Sequence, residues 1–174
     1  MPVNWPREAV LGACQSYAPL VTPIEGIDSV LLLAAMAANE STVGVDCGPA
    51  YAQAWDWGGE YAKNPRQQSL LQQYGRAAAM SYGPLQVMFY NAPGCTPEEL
   101  NTDLSIVMRA SIEYLNQQIR EFSPKTVTEV GQCWNHGSPI RPPAIPSPGV
   151  QDYCKDLVAN YGAAATWFGV VTVG

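Results

Sequence analysis

From Val30 to Ala38 the chain runs Val-Leu-Leu-Leu-Ala-Ala-Met-Ala-Ala, without one polar side chain. Asp28, just upstream, is placed to cap a helix over roughly Ser29 to Asn39. Wrapped into a helix, these residues leave no polar face, and a helix apolar all round must be buried on all sides. The run is far shorter than the roughly 20 residues needed to cross a bilayer, so no membrane insertion is expected. Glu40 is then the first charge after a buried helix, in its last turn.

The rest of the chain predicts further helices around this one. The clearest runs from Pro97 to about Phe122: Thr96 is the N-cap, Pro97 sits at the first position, and Glu99 completes a capping box. Leu100, Leu104, Val107, Ser111, Leu115, Ile119 and Phe122 recur at spacings of three and four, the stripe of a core-facing helix. Ser123-Pro124 ends it. Weaker signals predict helices over Pro6 to Tyr17, from Asn64-Pro65 to near Gly75, over Pro124 to about Trp134, and from Ser147-Pro148 through Tyr161, with Gly162 as the stop. Ile140 to Gly149 reads as a long ordered loop, and Trp167 to Val173 as a buried end or a strand. The fold class expected is mainly α: one helical domain over residues 1–174, with a cleft and little or no sheet.

Composition narrows the classes of function. The 174 residues are 47% hydrophobic and 14% charged, as suits a globular domain. A net charge of −6 argues against wholesale binding to nucleic acid or to anionic membranes. Five cysteines occur, none in a C-x-x-C pair; one or two disulfides are expected, with at least one thiol left over. The N-terminus lacks the basic start and apolar middle of a signal peptide. No metal or cofactor is expected, and the chain is expected to be a monomer.

Glu40 is the first candidate for chemistry. A carboxylate at the end of an apolar helix is poorly solvated, which disfavours its charged form and raises its pKa. The negative end of the helix dipole pushes the same way. A Glu that keeps its proton near neutrality can donate it to a leaving oxygen; the plainer reading is a side chain leaving the helix into solvent. Downstream, Ser81-Tyr82-Gly83-Pro84-Leu85-Gln86-Val87-Met88 combines small residues that permit a tight backbone with an amide that both donates and accepts. Cys133-Trp134-Asn135-His136-Gly137 sets an aromatic face beside an amide, a pairing suited to a sugar's apolar face and its hydroxyl or N-acetyl groups.

Five segments in this order resemble the soluble lytic transglycosylases and goose-type lysozymes: Glu40-Ser41 after an apolar helix, Gly83-Pro84-Leu85-Gln86-Val87-Met88, Tyr114-Leu115, Trp134-Asn135-His136-Gly137 and Tyr153-Cys154. The resemblance spans about residues 27 to 161. It implies a lysozyme-like α+β fold, Glu40 as general acid, and Ser41, Ser81, Tyr82, Gln86, Met88, Trp134 and Asn135 along a cleft that binds a β-1,4-linked amino-sugar polymer. Peptidoglycan, cut between N-acetylmuramic acid and N-acetylglucosamine, is the first choice; a chitin-type polymer and a non-cleaving glycan-binding module are the alternatives. It also implies action outside the cell, by secretion or by phage delivery to the wall. Trp134 stands where the family has a tyrosine whose hydroxyl approaches the acid, which implies that this contact is lost. Pro84 replaces a leucine. Residues 41–80 form a longer stretch than in compact members, rich in aromatics (Tyr51, Trp55, Trp57 and Tyr61), either a lid along the cleft or an insertion with its own core.

Inverting hydrolysis needs a second carboxylate about 6.5–9.5 Å from the acid. Asp46 and Asp56 both follow Glu40 at chain distances similar to those of the acidic residues of goose-type lysozymes, and the resemblance implies that one of them could orient water; each is otherwise a loop acid. Transglycosylases of the family use one acid only. His136, the single histidine, lies near Cys133, which opens a thiol peptidase as a third class.

Overall fold

The computed structural model describes residues 4–44, 50–51, 65–141 and 143–169. The fold is mainly helical with little sheet. Among the described residues the elements are α1 (Arg7–Tyr17), α2 (Ser29–Ser41), β1 (Ala50–Tyr51), α3 (Pro65–Tyr74), β2 (Met80–Tyr82), β3 (Val87–Met88), α4 (Pro97–Thr102), α5 (Leu104–Phe122), α6 (Val127–His136) and α7 (Pro148–Trp167). Tight single turns of helix sit at Ala18–Leu20, Gly75–Ala79 and Phe89–Asn91. No helix among the described residues is long and apolar enough to cross a membrane.

α2 is the buried axis that its composition demands. Asp28 caps it, its carboxylate accepting from the backbone N–H groups of Val30 (2.8 Å) and Leu31 (3.0 Å). Leu32 through Ala37 are buried, covered chiefly by α7 and also by α1. The helix ends in a left-handed turn at Thr42, φ 52°, and Val43, φ 54°. Ser41 locks that turn: its buried hydroxyl lies 3.0 Å from the Ala37 carbonyl and 2.8 Å from the Pro84 carbonyl, and accepts from the Gly44 N–H at 3.0 Å.

The expected single helix over Pro97 to Phe122 is two. Thr96 and Glu99 make the capping box that the sequence predicts for α4. Asp103 then takes an extended conformation and caps a new helix, accepting from Ser105 N–H (2.8 Å) and Ile106 N–H (3.1 Å). A short acidic side chain competes for backbone donors in this way and so favours a cap over a helix interior. Gly162 is not the stop expected; Ala163-Ala164-Ala165 carry α7 on to Trp167, since alanine has the strongest helical preference.

The small sheet is antiparallel, in the order β1-β2-β3. Its β2–β3 hairpin turns through Gly83-Pro84-Leu85-Gln86, with Ser81 opposite Met88 and Tyr82 opposite Val87. Gly83 has φ +77°, and a Cβ there would lie 2.4 Å from Val107 Cγ2 on α5. Only glycine meets both demands, of conformation and of space.

Two apolar clusters result. The larger gathers α1, α2, α5, α6 and α7 around Leu32, Leu33, Met36, Met108, Leu115 and Leu157. The smaller joins the hairpin and the Phe89–Asn91 turn to Leu100 and Val107, with Leu70, Leu71 and Tyr74 of α3 packed on it. Trp134 touches both clusters.

The expected disulfides are not there: Cys14, Cys95, Cys133 and Cys154 are all free thiols, and Cys47 lies outside the described residues. Cys14, Cys133 and Cys154 are buried in three different helices, each packed as a small apolar side chain.

Candidate active site

Glu40 lies in the last turn of α2, partly buried. The Tyr153 hydroxyl, delivered by α7, donates to its Oε1 at 2.6 Å. Burial lifts the Glu40 carboxyl to about 7, against the opposing effect of hydrogen bonds from Tyr153 and Trp134. Tyr153 is itself pushed well above the usual phenol range, first by burial and then by the neighbouring Glu40. It therefore stays protonated and acts as a donor. The pair gives a carboxyl that carries its proton near neutrality, with one oxygen fixed.

The contact expected to be lost at Trp134 is kept by other means. Its side chain hydrogen-bonds the Glu40 carboxyl, and the indole N–H is the one polar donor that ring has. Trp134 stands near the end of α6, its ring tilted against Tyr114 of α5 at 5.3 Å between centroids.

Trp134 also forms part of a cleft of about 290 Å³. One wall comes from the hairpin and the turn after it, with Gln86, Met88, Tyr90 and Asn91; the other comes from Tyr114 of α5 and from Trp134, Asn135 and His136 of α6. Rings and amides both line it, and none of the lining residues is acidic. Asn91 hydrogen-bonds both Tyr90 and Tyr114, tying the walls together. Glu40 is not among the lining residues; Trp134 is the side chain that belongs both to the cleft and to the carboxyl.

Of the residues expected at the site, Gln86, Met88, Trp134 and Asn135 line this cleft. Ser41 does not; the residue is 1% exposed, with its hydroxyl beside three backbone partners. Tyr82 is buried, and its hydroxyl donates to the Ala77 carbonyl at 2.8 Å. Ser81 donates to Gln86 Oε1 at 2.7 Å, while Gln86 Nε2 donates to the Gly83 carbonyl at 2.8 Å. These two bonds hold Gln86 in place at φ 50° rather than leaving its amide to swing. Asp46 and Asp56 lie outside the described residues, as do Trp55, Trp57 and Tyr61.

Tyr153, Tyr90 and Asn91 were not foreseen at the site. Tyr153 stands beside Cys154 in one of the quoted segments, but nothing local ties it to a carboxyl 113 positions away. The thiols offer little chemistry. Burial pushes Cys133 up to about 11 and Cys14 up to about 12, so neither forms a thiolate near neutrality. Cys133 is buried while His136 is exposed at the helix end, an arrangement that weighs against a thiol peptidase.

No protein-family model, curated protein or solved structure matches the chain.

Proposed function

We propose that the chain is a glycan-cleaving enzyme acting on a β-1,4-linked amino-sugar polymer, with peptidoglycan as substrate and Glu40 as general acid. The observation that carries this reading is the Glu40 carboxyl, raised to about 7 and hydrogen-bonded by Tyr153, next to a cleft of aromatic rings and amides. In this reading Glu40 gives its proton to the glycosidic oxygen as the carbon–oxygen bond breaks, and the leaving sugar departs as a neutral alcohol. Trp134 and Tyr114 supply faces for sugar rings, and Asn135, Asn91 and Gln86 supply partners for hydroxyl and acetamido groups. The resemblance of five ordered segments to lytic transglycosylases and goose-type lysozymes supports the same assignment, and the proposed site of action is the cell wall.

The attacking group is either a water, which leaves a reducing end, or the substrate's own hydroxyl, which leaves an anhydro end. Mass spectrometry of fragments from purified peptidoglycan separates the two. Full retention of cleavage by Glu40→Gln removes the reading.

One observation favours a second reading, glycan binding without cleavage: Glu40 is set behind Trp134 rather than on the cleft wall. Tight sedimentation with cell walls and no soluble fragments, from the unaltered protein, selects this alternative.

A further inference from the structure

A chain of polar side chains runs across the interface of α2 and α7 to Glu40. Asn160 Nδ2 of α7 donates to Asn39 Oδ1 of α2 at 3.0 Å. Asn39 Nδ2 donates back to the main-chain carbonyl of Tyr153 at 3.2 Å. The Tyr153 hydroxyl then donates to Glu40, the neighbour of Asn39, at 2.6 Å. We propose that Asn39 and Asn160 form a positioning pair that holds Tyr153 against Glu40 and so sets how readily this carboxyl carries its proton. The inference deepens the reading of Glu40 as an acid and rests on it for its functional meaning.

The direction of one amide is decisive. With its oxygen taken by Asn160, Asn39 must turn its nitrogen toward Tyr153, where a carbonyl waits. Without Asn160 the Asn39 oxygen loses its partner and the amide is held by the Tyr153 carbonyl alone, so one of the two bonds that fix the register of α7 on α2 is gone where the phenol is mounted. A main-chain carbonyl inside a helix has a second lone pair to offer, so this bond need not disturb α7 itself. Another side of α7 is set by Gly131 of α6: a Cβ there would come within 3.0 Å of Leu157 Cδ2 and 3.2 Å of Cys154 Sγ. Tyr153 is thus placed by an amide pair on one side and a close helix approach on the other.

The electrostatics make the effect readable. Among the described residues, the titratable side chain acting on Glu40 is Tyr153 from α7; α6 brings the Trp134 indole, which does not titrate, and α1 brings no group that acts on it. Asn39 carries no charge, but its side chain also hydrogen-bonds Tyr153 and opposes the rise of the phenol. Asn160 carries no charge and is not among the groups acting on Tyr153 or Glu40, so replacing Asn160 changes proton affinity through placement.

The test is a carbon-detected NMR titration of protein labelled at the Glu side-chain carboxyl, which needs no substrate. Tyr153→Phe should move the Glu40 midpoint upward, because the bond that favours its charged form is gone. Asn160→Ala should move it in the same direction by about half a pH unit, or threefold in proton affinity. Asn160→Leu, which keeps the volume and removes the amide, should do the same if Asn160→Ala folds poorly by circular dichroism. The double variant of Tyr153→Phe with either change should titrate where Tyr153→Phe alone does, since both act through one bond. An unchanged midpoint in the Asn160 variants, or shifts that simply add in the double variant, would overturn the proposal. Failure of the catalytic reading would show elsewhere, as retained cleavage by Glu40→Gln.

Discussion

The Tyr153 hydroxyl stands 2.6 Å from Glu40 Oε1, joining α7 to α2. A buried phenol that cannot readily ionise meets a carboxyl that burial keeps close to half-protonated at neutral pH. The phenol opposes the carboxyl's rise without cancelling it. This balance governs what each replacement nearby should do.

Glu40→Gln should cost roughly 10²–10⁴-fold in glycan cleavage while leaving the helical content unchanged. Turbidity clearing of a purified peptidoglycan suspension, alongside far-ultraviolet circular dichroism, measures both.

The same replacement should change stability in a pH-dependent way. Glu40 titrates at about 7 in the folded chain, above its ordinary value of 4.5. The folded state therefore binds more protons than the unfolded state between those limits, and stability falls as pH rises through that window. A shift of this size corresponds to on the order of 3 kcal/mol above neutrality. Gln carries no such cost, so Glu40→Gln should melt higher than the unaltered protein at pH 8, and the gap should narrow toward pH 4. Calorimetry at the two pH values reads it; an equal gap at both contradicts the assignment.

Cleavage should need the protonated carboxyl, so kcat/KM should fall on the alkaline side with a midpoint near 7. In Tyr153→Phe that limb should move to higher pH, as loss of the hydrogen bond leaves burial less opposed. A limb that stays in place would separate Tyr153 from the proton affinity of Glu40.

Trp134 combines two jobs that substitution can divide. Trp134→Phe keeps a ring against Tyr114 and removes the donor to Glu40, so it should shift the pH profile more than KM. Trp134→Ala removes the ring as well and should weaken glycan binding by about tenfold or more, as loss of a buried aromatic anchor does. Steady-state kinetics across pH distinguishes the pair.

Gly83→Ala should destabilise the domain by about 2 kcal/mol or more, because the new Cβ meets Val107 and sits at positive φ. Urea unfolding measures the loss. The hairpin carries Gln86 and Met88, so cleft binding should weaken along with it.

Much of this fold was legible because its signals are local. The apolar run ahead of Glu40 dictates a buried helix whatever surrounds it, and Thr96-Pro97 with Glu99 writes out its own cap. Asp103 misled because the apolar spacing continues across it, while the break depends on one carboxylate choosing backbone donors. The strands β2 and β3 are too short for alternation to show, so only the tight turn between them was visible. Cysteine number suggested disulfides, yet pairing depends on where the fold brings the sulfurs, and among the described residues all four are free, three of them buried in different helices. At the site, Glu40, Gln86, Met88, Trp134 and Asn135 could be picked out by residue type and order. Ser41 could not be told from a ligand, since a hydroxyl beside an acid looks the same whether it faces a cleft or three backbone groups. Tyr153 and the Asn39–Asn160 pair belong to a contact between distant helices, which no window of sequence contains.

Both partners of Glu40 are contributed late in the chain, by residues 134 and 153, whereas the carboxyl itself arrives at residue 40. A ribosome that has made residues 1–133 has made the carboxyl without either partner. Any fragment that stops short of α7 leaves Glu40 exposed to water, with the proton affinity of an ordinary glutamate. The raised proton affinity of Glu40 is thus withheld until α7 docks on α2.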